Sequence, residues 1–414
     1  VYGVMPFFRR IDATSAYEYL SMRFNMPIRW LASSLFVLFH VGRVAIVLSL
    51  ASLALASVTP LAAWQSVVLM GVLSIAYSTL GGVEAVIWTE ALQTLVLSTG
   101  ALICLYFLLH GIDGGFTHYL HQGLADNKFQ LIDWNFSHGS WMTFSIWVVV
   151  LGGIGQNLST YGADQAVIQR YLVTSSEKKA ASSIWLNAVT TAPSGIIFFL
   201  IGTGLYYFYQ SHPDRLDPSI QIDQIFPTFI ANEVPTGLAG LIVAGVFAAT
   251  QSAVATSMHS ISTALVVDFL RPSGVTWSDT RQLAAARWFT VMVGAIGTCT
   301  GLVFINPAIR SLFEAYMAVI GMSMGALGGL FLAGMATRRV NSLAAFLGLA
   351  AGVAIMVALW RTNAINPYLY SAVGVFACFG LSLLFSLVTG PSRNNLDGLT
   401  VLTLNRPPAK EAGR

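Results

Sequence analysis

Hydroxyl side chains recur through residues 244–268, inside an apolar run long enough to cross a bilayer. Read as a helix, this segment places Ser252, Thr256, Ser260 and Thr263 at spacings of three and four residues, on one face. Oxygens on one helix face can be ligands for a small hard cation. They can also bond the backbone carbonyls of their own helix and allow close helix packing. The segment alone leaves both interpretations open.

Arg43 lies in the middle of another apolar run, FVLFHVGRVAIVL. A membrane-embedded arginine is costly and needs an anion as its partner. One candidate anion is a carboxylate on a neighbouring helix. The other is the carboxylate of a substrate, which the guanidinium fork can hold through two hydrogen bonds. The residues alone favour neither, and His40, almost one turn earlier, is expected to be a hydrogen-bonded packing residue.

Two further carboxylates fall within apolar runs. Glu90, in GGVEAVIWTEALQT, predicts either an ion pair, with Arg43 as one candidate partner, or a cation or proton site. Glu314 is expected to pair with Arg310, four residues earlier on the same helix. Neither carboxylate has the paired acid and base that an enzyme of general acid–base type would need, so an enzyme is the most distant alternative.

Polar residues also crowd among glycines in LGGIGQNLSTYG, which contains Asn157. The glycines permit a kinked or unwound helix, and transporters place broken helices beside a substrate site at the membrane midplane. Asp164 and Arg170 follow this run and predict a polar network at its end.

The elements that carry these residues are predicted to be membrane helices, because 55% of the chain is hydrophobic and only 9% is charged. A lipid-facing sheet would leave backbone groups unpaired, and the apolar runs do not alternate as barrel strands do. We therefore expect an all-α polytopic membrane protein with no nucleic-acid partner. Its ten spans are expected at 30–56, 62–80, 83–110, 141–165, 179–209, 236–270, 283–305, 309–336, 341–360 and 367–390.

Basic residues concentrate in alternate connections between these spans, before the first and after the fourth, sixth, eighth and tenth. The positive-inside rule then places the N-terminal segment and the C-terminal tail in the cytoplasm. A tight turn is expected at Gly81-Gly82, and the polar tail, residues 391–414, is expected to be disordered. The three cysteines lack metal-ligand spacing and predict buried thiols.

Four motifs together resemble the sodium/solute symporters: TSAYEYLSMRF (14–24), the AVIWTE stretch (81–93), DQ-x-x-IQRY (164–171) and AATQS…HSIST (248–263). Within that family the chain is most similar to bacterial sialic acid symporters. The resemblance implies the inverted-repeat fold of the leucine transporter and sodium-driven uptake by alternating access. It implies a membrane domain over 1–390, with a partial first repeat (30–110), a complete second repeat (141–336) and extra helices (341–390).

The resemblance also implies roles for individual residues. Arg43 matches the arginine that holds the sialic acid carboxylate, and Asn157 matches a polar position near the substrate. In the main sodium site, Ala249 supplies a backbone carbonyl and Ser252 a hydroxyl. Ala253 stands where the family has a second serine, so one side-chain ligand is lost.

A second sodium site, found in some sialic acid symporters, matches Glu90 in place of an aspartate, and Ala255 and Thr256 in place of two serines. The charge and one hydroxyl are kept, while Ala255 supplies no oxygen. Glu90 and Thr256 are therefore expected to form a remnant second cation site or a proton site.

The resemblance predicts a monomeric inner-membrane symporter that takes up sialic acid or a similar acidic sugar with Na+. The family has helices before the position of Val1, and a protein that began at Val1 is expected not to transport. Two alternatives stay open: a symporter of this family for another organic acid or proline, and a non-transporting membrane sensor or truncated product.

Overall fold

The architecture comes from a computed structural model that describes residues 1–11, 15–130, 133–134, 138–274, 277–306, 309 and 311–403. The side chains of residues 80–91, 138, 140, 171 and 173 lie outside the description. The predicted turn at Gly81-Gly82 and the side chain of Glu90 fall within 80–91, and Arg310, the expected partner of Glu314, is also outside the described residues.

The described chain consists of α-helices joined by short helical turns and loops, without a strand in those residues. The helices are α1 Val4–Arg10, α2 Ala16–Arg23, α3 Met26–Val58, α4 Ala63–Gly111, α5 Gly115–Ala125, α6 Ile146–Ala163, α7 Gln165–Val173, α8 Glu177–Ser211, α9 Ile225–Glu233, α10 Thr236–Ala264, α11 Asp279–Phe304, α12 Leu312–Ile320, α13 Ala326–Ala336, α14 Ser342–Thr362 and α15 Tyr370–Thr389. Two π-helical segments extend this set, Leu265–Leu270 after α10 and Gly321–Gly325 between α12 and α13.

Eight stretches of the described residues are long and apolar enough to cross a membrane, which agrees with the predicted polytopic class. They are Met26–Val58, Leu92–Gly111, Glu177–Ser211, Thr236–Ser273, Asp279–Phe304, Leu312–Ala336, Ser342–Thr362 and Pro367–Thr389. The other two expected spans correspond to a shorter apolar helix, Ala63–Thr79, and to α6, whose hydropathy is lowered by Gln156 and Asn157.

The helices α3, α4, α10 and α11 pack together around one apolar cluster. Its buried members include Val44 from α3, Met70 from α4 and Met258 from α10. A Cβ on Gly297 of α11 would lie 2.4 Å from Val44, so a glycine there is what allows α11 to approach α3 closely. This packing fixes the faces of α3 and α10 that meet.

The glycines of α6 serve packing, and the expectation of an unwound helix there is wrong. α6 is continuous over Ile146–Ala163. A Cβ on Gly155 would lie 2.2 Å from the Cα of Ala372 in α15, so the glycine allows two helices to approach without breaking either. The chain turns instead at Asp164, which separates α6 from α7 and caps α7 by accepting from the Ala166 N–H at 2.8 Å.

The first part of the polar tail is ordered, which corrects the expectation of disorder for residues 391–403. The Ser392 N–H bonds the Arg339 carbonyl at 3.0 Å, and the Asn394 amide reaches the Phe24 carbonyl at 3.3 Å. The Tyr19 hydroxyl donates to the Leu399 carbonyl at 3.1 Å. The first bond attaches the segment to the loop after α13, and the other two attach it to α2, where the Phe24 carbonyl at the helix end needs a donor. Residues 404–414 lie outside the described residues.

Candidate functional site

A cleft of about 310 Å³ lies where α3, α4, α7 and α10 meet. It brings together four of the six residues singled out from the sequence, namely Arg43, Ala249, Ser252 and Thr256. The other lining residues are Gln93, Thr94, Leu97, Arg170 and Ala253. Side-chain hydroxyls, an amide and two guanidinium groups therefore face one space inside a membrane bundle.

Arg43 is half-buried in the wall of this cleft. Its Nε is buried and has no hydrogen-bond partner among the described residues. No described carboxylate forms an ion pair with it. A membrane-embedded guanidinium in this condition has capacity for an anion. The geometry favours the ligand interpretation of Arg43 over a helix–helix ion pair.

His40, on the same helix, has the role expected of a packing residue. Its Nε2 lies 3.3 Å from Oδ1 of Asp164, and both side chains are buried. Its ring packs against Phe36, with ring centroids 4.3 Å apart. The pair joins α3, one turn before Arg43, to the corner between α6 and α7.

The hydroxyls of α10 divide into two groups. Ser252 and Thr256 line the cleft. Ser257 donates to the Ala253 carbonyl at 3.0 Å, Ser260 donates to the Thr256 carbonyl at 2.8 Å, and Ser262 donates to the Ala286 carbonyl of α11 at 2.7 Å. These last three confirm the packing interpretation for their positions. The cation interpretation remains for the cleft-lining positions.

The two alanines in place of family serines differ in position. Ala253 lines the cleft, so the position at which the resemblance expects a second serine supplies no side-chain oxygen to it. Ala255 is fully buried and is not among the lining residues, although its neighbour Thr256 is.

Sequence reasoning did not place Gln93, Thr94 or Arg170 at the site. Gln93 and Thr94 follow Glu90 by three and four residues, the spacing of one helix face, and that signal could have identified them. The sequence predicts Arg170 in one polar network with Asp164. The structure instead pairs Asp164 with His40 and brings Arg170 to the cleft.

Asn157 lies apart from the cleft lining. It is exposed on α6, and its amide donates to the Gly153 carbonyl of the same helix at 2.8 Å. The role predicted for it stays a prediction, as does that of Glu90, whose side chain lies outside the described residues.

Curated relatives of the chain are sodium-coupled transporters. It is 34% identical over 375 residues to the sodium/sialic acid symporter SiaT of Proteus mirabilis, covering 90% of this chain and 75% of that protein. It is 32% identical over 395 residues to the sodium/sialic acid symporter NanT of Aliivibrio fischeri, covering 95% and 77%. It is 31% identical over 367 residues to the human sodium-coupled monocarboxylate transporter 1, covering 86% and 58%.

Solved structures give the same fold. A Na+-coupled sialic acid symporter in a substrate-bound outward-open state matches with a TM-score of 0.84 and 31% identity, covering 95% of this chain and 81% of that one. The inward-facing conformation of Mhp1 matches with a TM-score of 0.56 and 16% identity over 94% and 82%. The predicted leucine-transporter-like fold is thereby confirmed. A family model matches residues 1–352, and the chain belongs to the sodium:solute symporter family.

Proposed function

We propose that this protein takes up sialic acid, or a similar acidic sugar, together with Na+. The observation that carries the proposal is the cleft in which Arg43, with no described carboxylate paired to it, faces the same space as Ala249 and Ser252. An anion and a cation bound side by side in one cleft offset each other's charge. The similarity to SiaT and NanT supports sialic acid as the anion.

In this proposal the guanidinium of Arg43 binds the sugar carboxylate through two charge-assisted hydrogen bonds. The carbonyl of Ala249 and the hydroxyl of Ser252 bind sodium. Thr256, with Glu90, forms the remnant second cation site or a proton site. Asn157 lies apart from the cleft lining, with its amide on the Gly153 carbonyl at 2.8 Å, and the resemblance assigns it to a polar position near the substrate.

Coupling follows from linkage between the two ligands. Sodium bound by α10 favours the conformation in which the cleft binds substrate, and by reciprocity bound substrate raises the affinity for sodium. The ion gradient then drives accumulation of the acid. No covalent step is required of any residue.

The proposed topology places the protein in the bacterial inner membrane as a monomer, with α1, α2 and the C-terminal tail in the cytoplasm. The lipid bilayer is its solvent over the apolar helix faces. Basic residues at the α2 end of the bundle, where α2 meets the start of α3 and the end of α10, support this orientation. The proposed repeats keep the boundaries 30–110 and 141–336.

The decisive experiment is uptake of labelled sialic acid by cells expressing the full-length gene product, measured against sodium concentration. We expect uptake to require sodium. A Hill slope near one indicates a single working sodium site, whereas a slope well above one contradicts the assignment of a weakened second site. Uptake that is independent of sodium contradicts the proposal.

A second candidate substrate is a small monocarboxylate, favoured by the 31% identity to the human sodium-coupled monocarboxylate transporter 1. Arg43 would bind its carboxylate in the same way. Competition separates the two: excess unlabelled lactate suppresses labelled sialic acid uptake only if the cleft accepts small acids.

A further inference from the structure

Asp268 anchors the end of α10 in a buried network. It lies fully buried in the π-helical segment Leu265–Leu270. Its Oδ1 accepts hydrogen bonds from Arg29 Nε at 2.9 Å, from Arg29 Nη2 at 2.7 Å and from the Ser15 hydroxyl at 2.7 Å. Its backbone carbonyl accepts from the Trp30 indole at 3.1 Å. The start of α3 and the first turn of α2 thus hold both the side chain and the backbone of one residue.

This network lies on the same two helices as the proposed site. Arg29 and Arg43 are both in α3, about 21 Å apart along its axis at 1.5 Å per residue. Asp268 follows Ser252 of α10 by a similar rise, about 24 Å. Because α3 and α10 pack against each other, the ion pair fixes their relative position at the α2 end, while the cleft lies farther along the pair.

The first turn of α2 also binds a second element. The Ala16 N–H donates to the Gln165 side-chain oxygen at 2.6 Å, and the Tyr17 hydroxyl donates to the Ala163 carbonyl at 2.9 Å. Both acceptors flank Asp164, at the corner between α6 and α7. Consecutive residues of the TSAYEYL motif therefore connect the end of the cation-ligand helix to the corner that precedes Arg170.

We propose that Asp268, Arg29 and Ser15 are positioning residues for transport, which hold α10 against α3 and α2 in the conformation that is closed toward the cytoplasm. They do not touch sodium or substrate. Release of the Asp268 carboxylate frees the end of α10, and the cleft then opens toward the α2 end. The inference rests on the proposed function, since it assumes that the cleft opens alternately to the two sides.

The physical reason is the cost of a buried charge. Breaking a buried ion pair by removing one partner leaves the other charge uncompensated, whereas two buried charges that stay paired are tolerated. Loss of the Asp268 charge therefore lowers the fraction of molecules that are closed toward the cytoplasm. The apparent affinity for external sodium falls as that fraction falls, because only those molecules bind sodium from outside.

The test compares Asp268→Asn with Glu233→Gln. Glu233 forms an ion pair of 2.8 Å with Arg215, close to the 2.7 Å of the inner pair, but it lies in α9 and is partly exposed. The reporter is Ala253→Cys, which places a thiol in the cleft, in a Cys299→Ala background because the other two cysteines are buried. The readout is the rate of labelling by a membrane-impermeant maleimide in inside-out vesicles. The sodium dependence of uptake is measured separately, in variants that keep Ala253.

We expect Asp268→Asn to raise the labelling rate from the cytoplasmic face by about tenfold or more and to raise the sodium concentration for half-maximal uptake. Glu233→Gln should change neither. Equal labelling rates in the two variants overturn the inference. If Asp268→Asn yields no folded protein, Ser15→Ala replaces it, because this change removes one of the hydrogen bonds to Oδ1. A smaller rise in the labelling rate then supports the inference, and an unchanged rate contradicts it.

The two proposals fail separately. Labelling that responds to Asp268→Asn without any sialic acid uptake by the parent protein contradicts the substrate assignment and leaves the positioning role. Sodium-driven sialic acid uptake with unresponsive labelling contradicts the positioning role and leaves the proposed function.

Discussion

Arg29 and Arg43 are both cations of α3, and their surroundings differ. Arg29 is 6% exposed and donates to the Asp268 carboxylate, to the Val267 carbonyl and to the Ser21 hydroxyl. Arg43 is half-buried, faces a cleft and has a buried Nε without a partner in the described part of the chain. A buried arginine whose donors are used by the protein holds helices together, and one with donors left over has capacity for a ligand.

Their positions along α3 explain the difference. Arg29 lies in the first turn of the helix, where the end of α10 brings it the Asp268 carboxylate and α2 brings it the Ser21 hydroxyl. Arg43 lies where α4, α7 and α10 leave a cleft between them. One helix thus carries an arginine that holds the helices together, Arg29, and an arginine that is proposed to bind substrate, Arg43. Substitutions should separate the two roles.

Arg43→Ala should have the largest effect, because it removes two charge-assisted hydrogen bonds worth about 1.5–3 kcal/mol each. Sialic acid uptake should fall about a hundredfold or more. Arg43→Lys keeps the charge without the fork and should lose less. Initial rates at saturating sodium measure the effect. Normal uptake by Arg43→Ala would exclude Arg43 as the carboxylate ligand.

Arg29→Ala should instead lower stability, by about 3–5 kcal/mol, since it leaves Asp268 as a buried uncompensated charge. The matched variant Arg215→Ala breaks an exposed pair and should cost about 0–1 kcal/mol. Thermal unfolding of the detergent-solubilised proteins compares the two. Equal melting temperatures of Arg29→Ala and Arg215→Ala would show that the buried Arg29–Asp268 pair stabilises the protein no more than the exposed Arg215–Glu233 pair.

Ser252→Ala should raise the sodium concentration for half-maximal uptake by about tenfold. The change removes one proposed sodium ligand, and a loss of about 1.4 kcal/mol of binding free energy corresponds to that factor. The control is Ser260→Ala, on the same helix, whose hydroxyl donates to the Thr256 carbonyl. That variant should leave the sodium dependence unchanged. A shift of the same size in both variants would assign the effect to helix packing.

Thr256→Ala should have the smallest effect. If Glu90 and Thr256 form only a remnant second site, its loss should change sodium affinity by about twofold or less, within the range of a weak interaction. The Hill slope of uptake should stay near one. A slope that falls from well above one to one in this variant would show that the second site works in the native protein.

The class of protein and part of the site followed from local sequence. Long apolar runs determine membrane helices, because a bilayer leaves no other way to satisfy the backbone. The position of Arg43 in such a run predicts an anionic partner, because an unpaired charge in the membrane is costly. Family motifs supplied Ala249, Ser252 and Thr256, and the structure places these three with Arg43 in one cleft.

Only tertiary structure decided which charges meet. Arg29 and Asp268 are 239 residues apart, and from the sequence Arg29 was one more basic residue at a helix end that indicated orientation. Arg170 reaches the cleft, and Asp164 reaches His40, because the chain turns at the α6–α7 corner and not at the glycines of α6. Periodicity reports how one helix presents its residues, whereas an ion pair or a cleft depends on which faces of distant helices come into contact.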